Sequence, residues 1–480
     1  MSILVIDVGT SSVRAAVLRP DGTLEHEFGH HTLPDSPVPG LVEFDATTYA
    51  AAALDSARYV IAEAGPVDAV GISNQRASTI IWDRQTGEPV APAQGWQDLR
   101  TLGDCLVLNA EGFHLAPNLS ATKISNILDA VDPGRQQDLC FGSPDSWIVW
   151  NLSGGQSHIS DLSNAALWGL LSRDSTTYNE ALLERLRIPI EMLPEIVDST
   201  GELAIATVLD GAPPIRGIAG DQQASLIGQS CVTPGMAKIT FGTGGMLDVC
   251  VGPERPSFET RGEGGCFPMV AWRDNGQVTW GAEAIMLAAG TNVEWLRDDL
   301  GLIPDAAASD EIAASVDDSG GAVFVPALLG LGSPQWDYGA RGTLLGLTRG
   351  TTSAHVVRAV LEGVAHRGAD LIESAEKDCS LNLESVRIDG GMAANSVFVQ
   401  ALADASQRRI EVAPVMEATA VGAGYLAGLT SGAWGSWDEI AAAWAPERVV
   451  EPGAPLDRER WSDSVKRAMA WYPELTELDF

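Results

Sequence analysis

Ile3-Leu4-Val5-Ile6-Asp7-Val8-Gly9-Thr10-Ser11-Ser12-Val13-Arg14-Ala15-Ala16-Val17-Leu18 opens the chain. The apolar run Ile3 to Ile6 reads as a strand, Asp7 to Ser12 as a turn, and Val13 to Leu18 as a second strand, followed by the turn signal Pro20-Asp21-Gly22. The tip of this β-hairpin suits an anion: Gly9 lets backbone approach closely, and Thr10, Ser11, Ser12 and Arg14 add donors. Polar hairpin turns are common, so the pattern gains weight only because it returns. Ala237 to Phe241 reads as a strand, Gly242-Thr243-Gly244-Gly245 as a turn, and Met246 to Val251 as another strand. Two such units indicate an internal structural duplication, and two facing tips would make a phosphate clamp.

Around these hairpins lie further strands, Ala69 to Ser73 and Thr79 to Trp82, and a mostly helical region reaching to about residue 200. The helix-like stretch Gln222 to Gln229 ends at Thr233-Pro234-Gly235, a lobe boundary that divides the chain into 1–230 and 231–480. Later, Val386-Arg387-Ile388-Asp389-Gly390-Gly391 reads as a strand feeding a glycine turn and a helix. The fold class is therefore α/β, with a cleft between two lobes.

Composition narrows the function. The 480 residues are 45% hydrophobic and 20% charged, a globular profile. Lys and Arg total 30 against 64 Asp and Glu, a formal charge of -34 that repels nucleic acid and anionic membrane. An anionic nucleotide must then be held by local donors. The six scattered cysteines include no C-x-x-C, which points to reduced thiols in cytoplasm rather than disulfides or zinc. His30-His31 sits among Gly, Pro and Asp residues and reads as a solvated loop. No basic stretch precedes Ile3 to mark a signal peptide, and no apolar run is long enough to span a bilayer. Trp434, Trp437 and Trp444 read as packing for a terminal helix.

The candidate catalytic group is Asp221, in Gly217-Ile218-Ala219-Gly220-Asp221-Gln222-Gln223. An apolar strand ending in Gly-Asp before a helix presents a carboxylate at the element edge, where ligands bind in α/β sheets. Such an Asp also makes a good helix N-cap. Phosphoryl transfer to an alcohol requires a carboxylate that orients the hydroxyl and accepts its proton, together with Mg²⁺ and donors for the phosphates. The glycine pair Gly390-Gly391 allows a flat or anionic ligand to pack on backbone, or simply makes a tight connection. No G-x-x-x-x-G-K-[ST] loop occurs, which excludes a Walker-type ATPase.

Asn74-Gln75-Arg76, Trp96-Gln97-Asp98, Ser120-Ala121-Thr122-Lys123, Gly217 to Gln223, Pro234 to Lys238 and Gly242-Thr243-Gly244 together resemble glycerol kinases. The segment Gly342 to Glu362 fits the C-terminal signature of the FGGY carbohydrate kinases. These matches run in order from residue 3 to about residue 429. The resemblance implies two actin-like, ribonuclease-H-like lobes closing on substrate, and an ATP- and Mg²⁺-dependent kinase acting on a hydroxyl of a small sugar or polyol. It implies that Asp221 is the general base, that Asp7 stands near Mg²⁺ with Asp221, directly or through water, and that Thr10, Ser11, Ser12 and Arg14 form the phosphate hairpin. Gly242, Thr243, Gly290, Gly391, Met392 and Asn395 then surround the nucleotide, and a cytoplasmic homodimer is the implied assembly.

The matched acceptor pocket comprises Arg76, Ala77, Trp96, Asn118, Asp221, Gln222 and Met246, and here the chain departs from glycerol kinases. Ala77 stands where the glycerol-contacting Glu is expected, Asn118 and Met246 replace two aromatics, and Asn126 replaces a Trp. A charge-assisted hydrogen bond contributes roughly 1.5–3 kcal/mol, so these losses predict weak glycerol binding and a longer polyol or ketose as acceptor. Arg76, with no acidic neighbour, is expected to turn to ligand. A xylulokinase-like activity is an alternative, although those enzymes carry Gly-Gln-Met-His where this chain has Asn74-Gln75-Arg76. A nucleotide-binding sensor that has lost transfer is a second alternative, and an actin-like or chaperone-like ATPase a third.

Overall fold

The computed structural model describes residues 1–414 and 417–478. Its two large sheets share one plan. In the first, Ile3–Val8 pairs antiparallel with Ser12–Leu18, which pairs with Leu24–His31. On its other side Ile3–Val8 lies parallel to Ala69–Asn74, then come parallel Pro214–Gly220 and the antiparallel edge Thr200–Ile205. In the second, Ala237–Phe241 pairs antiparallel with Gly245–Gly252, which pairs with Gln277–Met286. Its parallel neighbours are Ser385–Asp389 and Arg409–Val412, with Arg448–Val450 antiparallel at the edge, and Phe267–Asp274 is added beyond Gln277–Met286. The repeated hairpin foreseen in the sequence is thus the start of a repeated sheet.

Parallel strands end together, and this positions the site. Ile3–Val8, Ala69–Asn74 and Pro214–Gly220 deliver Asp7, Arg76 and Asp221 to one edge of the first sheet. Each strand is buried along nearly its whole length, as its continuous apolar sequence requires. The helix Asp221–Gly228 leaves that edge and crosses the helix Ala418–Ser431. The crossing is close because both surfaces are made of small residues. A Cβ on Gly228 would stand 1.9 Å from the Ala418 carbonyl oxygen, and one on Gly422 1.8 Å from that of Ala224. Ala418–Ser431 also lies against the first sheet, where a Cβ on Gly71 would meet the Ala423 carbonyl at 2.2 Å. A helix late in the chain therefore covers the sheet that the chain lays down first.

Three local expectations need correction. Leu24–His31 is an edge strand, so His30 is not in a loop; its Nε2 pairs with Asp55 at 2.7 Å across to the helix Ala46–Ala64. Asp221 is the first residue of its helix and not the cap, since Gly220 holds that position with extended backbone. Trp434 and Trp437 pack where the halves meet, Trp437 stacked on Trp272, while Trp444 lies 3.8 Å below the Arg387 guanidinium and donates to Gln229. All six cysteines are unbridged, and five are buried. Among the described residues no helix is long and apolar enough to cross a membrane.

Candidate active site

Asp221 emerges from the first sheet into the cleft with its side chain 30% exposed. Its Oδ1 accepts from the Gln222 backbone N–H at 2.7 Å and faces Arg76 Nε at 3.2 Å. Oδ2 receives no hydrogen bond from the described residues. Burial pushes the Asp221 carboxyl above its ordinary range, Arg76 and the Gln222 N–H oppose this, and the charges of Glu283 and Asp7 add to it. Arg76 reaches across the cleft to Glu283 on the second sheet, Nη2 to Oε2 at 2.8 Å. Arg76 is thus not without an acidic partner: a carboxylate 207 residues away takes the place of the neighbour missing at Ala77.

The first hairpin tip is wired to the acceptor side by side chains. Trp96 donates its indole N–H to Thr10 Oγ1 at 3.2 Å, and Thr10 donates to Gln75 Oε1 at 3.3 Å. Gln75 Nε2 donates to the Tyr49 hydroxyl at 2.6 Å, which donates in turn to the Gly9 carbonyl. Ser11 is exposed and Ser12 begins the second strand. Arg14 is committed to three carboxylates, Glu417 at 2.6 Å, Asp7 at 3.3 Å and Glu27 at 3.4 Å, so it screens acids at the tip instead of standing free. Asp7 accepts from Ser73 Oγ at 2.7 Å and from Thr419 Oγ1 at 3.2 Å. Burial raises the Asp7 carboxyl, while Ser73, Arg14 and Thr419 favour its ionised form.

The second tip is built of backbone. Gly290 N donates to the Gly242 carbonyl at 2.8 Å, and Ala289 N to that of Thr243 at 2.8 Å. Gly390 sits at φ 86°, where a Cβ would lie 2.4 Å from the Phe241 carbonyl oxygen, so this turn requires glycine. At Gly242 and Gly391, in contrast, a Cβ would point into open space. Together these turns form a shelf made mostly of backbone, with the Thr243 side chain exposed on it. Met392 is buried in the core of the second half, and Asn395 caps the helix Ser396–Ser406, its Oδ1 accepting from Phe398 N at 2.8 Å. Both residues lie beside the shelf, but their side chains are occupied structurally.

Several of the predicted pocket residues are linked by hydrogen bonds of their own or of their neighbours. Ser120 Oγ donates to the Ala77 carbonyl at 2.9 Å, and Lys123 Nζ donates to the Pro117 carbonyl at 2.6 Å. These bonds bring the loop that carries exposed Asn118 beside Ala77, which is buried with a left-handed φ of 60°. Trp96 N is held by Ser78 Oγ at 3.1 Å. Gln222 Oε1 accepts from Lys238 Nζ at 2.8 Å, and Met246 is half-buried on the strand Gly245–Gly252. Sequence reasoning missed Glu283, and it passed over Lys238 and Asp248 as site residues. The signal was present: each is a charge inside an apolar strand, which implies a buried partner.

The FGGY carbohydrate-kinase N-terminal domain matches residues 2–228, and the C-terminal domain of the same family matches residues 237–431. The chain belongs to the FGGY family of carbohydrate kinases. The kinase is 41% identical to a glycerol kinase of Aromatoleum aromaticum over 98% of its length and 99% of that protein. It is 42% identical to one from Trichlorobacter lovleyi over 98% of its length and 99% of that protein. A crystal structure of Plasmodium falciparum glycerol kinase with ADP superposes with a TM-score of 0.88 at 26% identity, covering 100% of the kinase and 99% of that chain. A xylulose kinase from Rhodospirillum rubrum, at 22% identity, shares the fold alone. The enzyme transfers a phosphoryl group from ATP, with Mg²⁺, to a hydroxyl of a small sugar or polyol; the xylulokinase-like and sensor alternatives are not favoured.

The residues present fit these cofactors. Asp389 Oδ1 is buried without a hydrogen-bond partner at the strand end beside the glycine shelf, and the open faces of Gly242 and Gly391 leave room for a nucleotide. No cluster of three or more metal-ligating side chains exists among the described residues. Mg²⁺ commonly binds through one or two carboxylates together with phosphates and water.

Proposed function

We propose that the acceptor is a polyol or ketose longer than glycerol, and that Asp221 is the general base. The observation that carries the acceptor reading is Ala77: a buried methyl at a left-handed φ, whose neighbour Arg76 is already neutralised by Asp221 and Glu283. A pocket without a carboxylate at that position, and with Asn118 and Met246 for walls, has space and polar reach for additional carbons.

Asp221 Oδ2 takes the proton of the acceptor hydroxyl as its oxygen attacks the γ-phosphorus, while the bond from phosphorus to the leaving ADP oxygen breaks. Arg76 fixes the carboxylate through Oδ1 and leaves Oδ2 toward the acceptor. Its elevated proton affinity favours this step, because a general base works best with a pKa near the operating pH. Mg²⁺, when bound near Asp7, supplies charge neutralisation for the phosphates. The tip at Thr10–Ser12 and the shelf at Gly242, Thr243 and Gly391 supply donors from opposite sides, with residues 1–230 as the acceptor-and-phosphate lobe and 231–480 as the nucleotide lobe, apart from the helix Ala418–Ser431 that covers the first sheet. Closure of the two keeps water from the γ-phosphate. The family resemblance adds a cytoplasmic homodimer to this proposal, and light scattering would test the dimer.

The deciding assay is ADP release from MgATP with glycerol, erythritol, xylitol, xylulose and ribulose. Higher kcat/KM for one longer acceptor supports the proposal. The competing reading, glycerol itself, rests on the names of the relatives, and it prevails if glycerol is turned over most efficiently.

A further inference from the structure

Lys238, Asp248 and Glu283 are direct cross-strand neighbours on three adjacent strands of the second sheet. They lie on the face turned to the cleft, and the strand period of two puts Met246 on the same face as Asp248. The side chains of Lys238 and Asp248 are both 0% exposed, with Nζ and Oδ2 2.7 Å apart. Neither Asp248 oxygen has a well-formed hydrogen bond, so the carboxylate is held chiefly by the charge of Lys238. A carboxylate oxygen buried in this way is destabilising unless the arrangement around it returns something.

What surrounds it is the acceptor site. Lys238 Nζ donates to Gln222 Oε1 at 2.8 Å and to Thr240 Oγ1 at 3.0 Å. Gln222 N binds Asp221 Oδ1, Asp221 faces Arg76, and Arg76 binds Glu283, the other neighbour of Asp248. This chain of contacts crosses the two lobes and returns beside Asp248, whose cross-strand neighbour Glu283 repels it as a like charge. Asp248 and Lys238 are the fully buried members, and of the two only Lys238 bonds to a residue of the acceptor site.

We propose that Asp248 is a positioning residue for the acceptor: it fixes Lys238, which holds the Gln222 side chain against the second sheet and so sets how the first turn of the catalytic helix meets the acceptor. This rests on the reading of Gln222 as an acceptor contact. Without the Asp248 charge, Lys238 turns to the next carboxylate, Glu283, and competes with Arg76 for it. Acceptor recognition then loosens although no contact with the acceptor has been removed.

The test is a double-mutant cycle of Asp248→Asn and Gln222→Ala in the full-length enzyme, reading kcat and both KM values with the best acceptor. Asp248→Asn should raise the acceptor KM about tenfold, the worth of roughly one charge-assisted hydrogen bond, with kcat and the MgATP KM little changed. On the Gln222→Ala background it should add nothing. Lys238→Met, which breaks the arm from its other end, should reproduce the effect if Asp248→Asn does not fold. An additive cycle, or a lowered melting temperature with an unchanged acceptor KM, overturns the proposal. If Gln222→Ala alone leaves the acceptor KM unchanged, the reading of Gln222 itself is wrong and the proposal falls with it.

Discussion

The two hairpin tips share a topology and differ in what holds them. The tip at Gly9–Ser12 is fastened by side chains, through Thr10, Gln75, Trp96 and Tyr49. The tip at Gly242–Gly245 is fastened mainly by backbone, through the N–H groups of Gly290 and Ala289, with Thr291 Oγ1 adding one bond to the Thr243 carbonyl. A duplicated frame has thus been finished in two chemistries. Side-chain wiring couples the first tip to Trp96; under the proposed function this is the acceptor wall, and the second tip is the nucleotide shelf.

The largest effect should come from the residue between the tips. Asp221→Asn should lower kcat by about 10²–10⁴, the usual worth of a general base, while calorimetry still detects MgATP binding. Loss of nucleotide binding in this variant would mean that Asp221 serves the phosphates instead.

The half built around side-chain wiring should also carry a pH signature. Burial and the nearby Asp161 push Asp145 up to about 7 from an ordinary 3.8. Between pH 4 and 7 the folded state therefore keeps a proton that the unfolded chain has released, so this group makes stability fall as pH rises, by up to about 1.4 kcal/mol per unit. Denaturant titrations of wild type and Asp145→Asn across that range should diverge in slope, and parallel curves would contradict the assignment.

At the shelf, Gly390→Ala forces a Cβ onto the Phe241 carbonyl and should lower stability by about 1–3 kcal/mol in denaturant melts. Gly242→Ala meets nothing within the protein, so its melting temperature should match wild type while the MgATP KM alone rises. At the wired tip, Thr10→Val removes two hydrogen bonds of about 1 kcal/mol each and should raise the KM for MgATP and acceptor together, a few-fold. If Thr10→Val affects only MgATP, the contrast between the tips disappears.

Much of this was legible because it is local. Apolar runs interrupted by Gly-Thr turns announce hairpins, and a Gly-Asp at the end of a strand announces a displayed carboxylate. Leu24–His31 was not legible, because Leu-Glu-His-Glu-Phe-Gly-His-His is the mixed pattern of an edge strand open to solvent. The pairing of Arg76 with Glu283 joins residues 207 apart across two lobes, and nothing near either one names the other. Met392 and Asn395 show a different limit: a motif located the shelf correctly, but burial and helix capping, which depend on the finished fold, decide what their side chains do.

The helix Ala418–Ser431 imposes an order on biosynthesis. The first sheet takes its innermost strand from residues 3–8, yet one of its faces is covered by a helix made more than 400 residues later. Until that helix leaves the ribosome, Val5, Ala16 and Leu18 have no lasting cover from it, and the nascent N-terminal half must stay partly open or sheltered by chaperones. A chain cut short before residue 418 loses the lid of its first lobe along with part of its second.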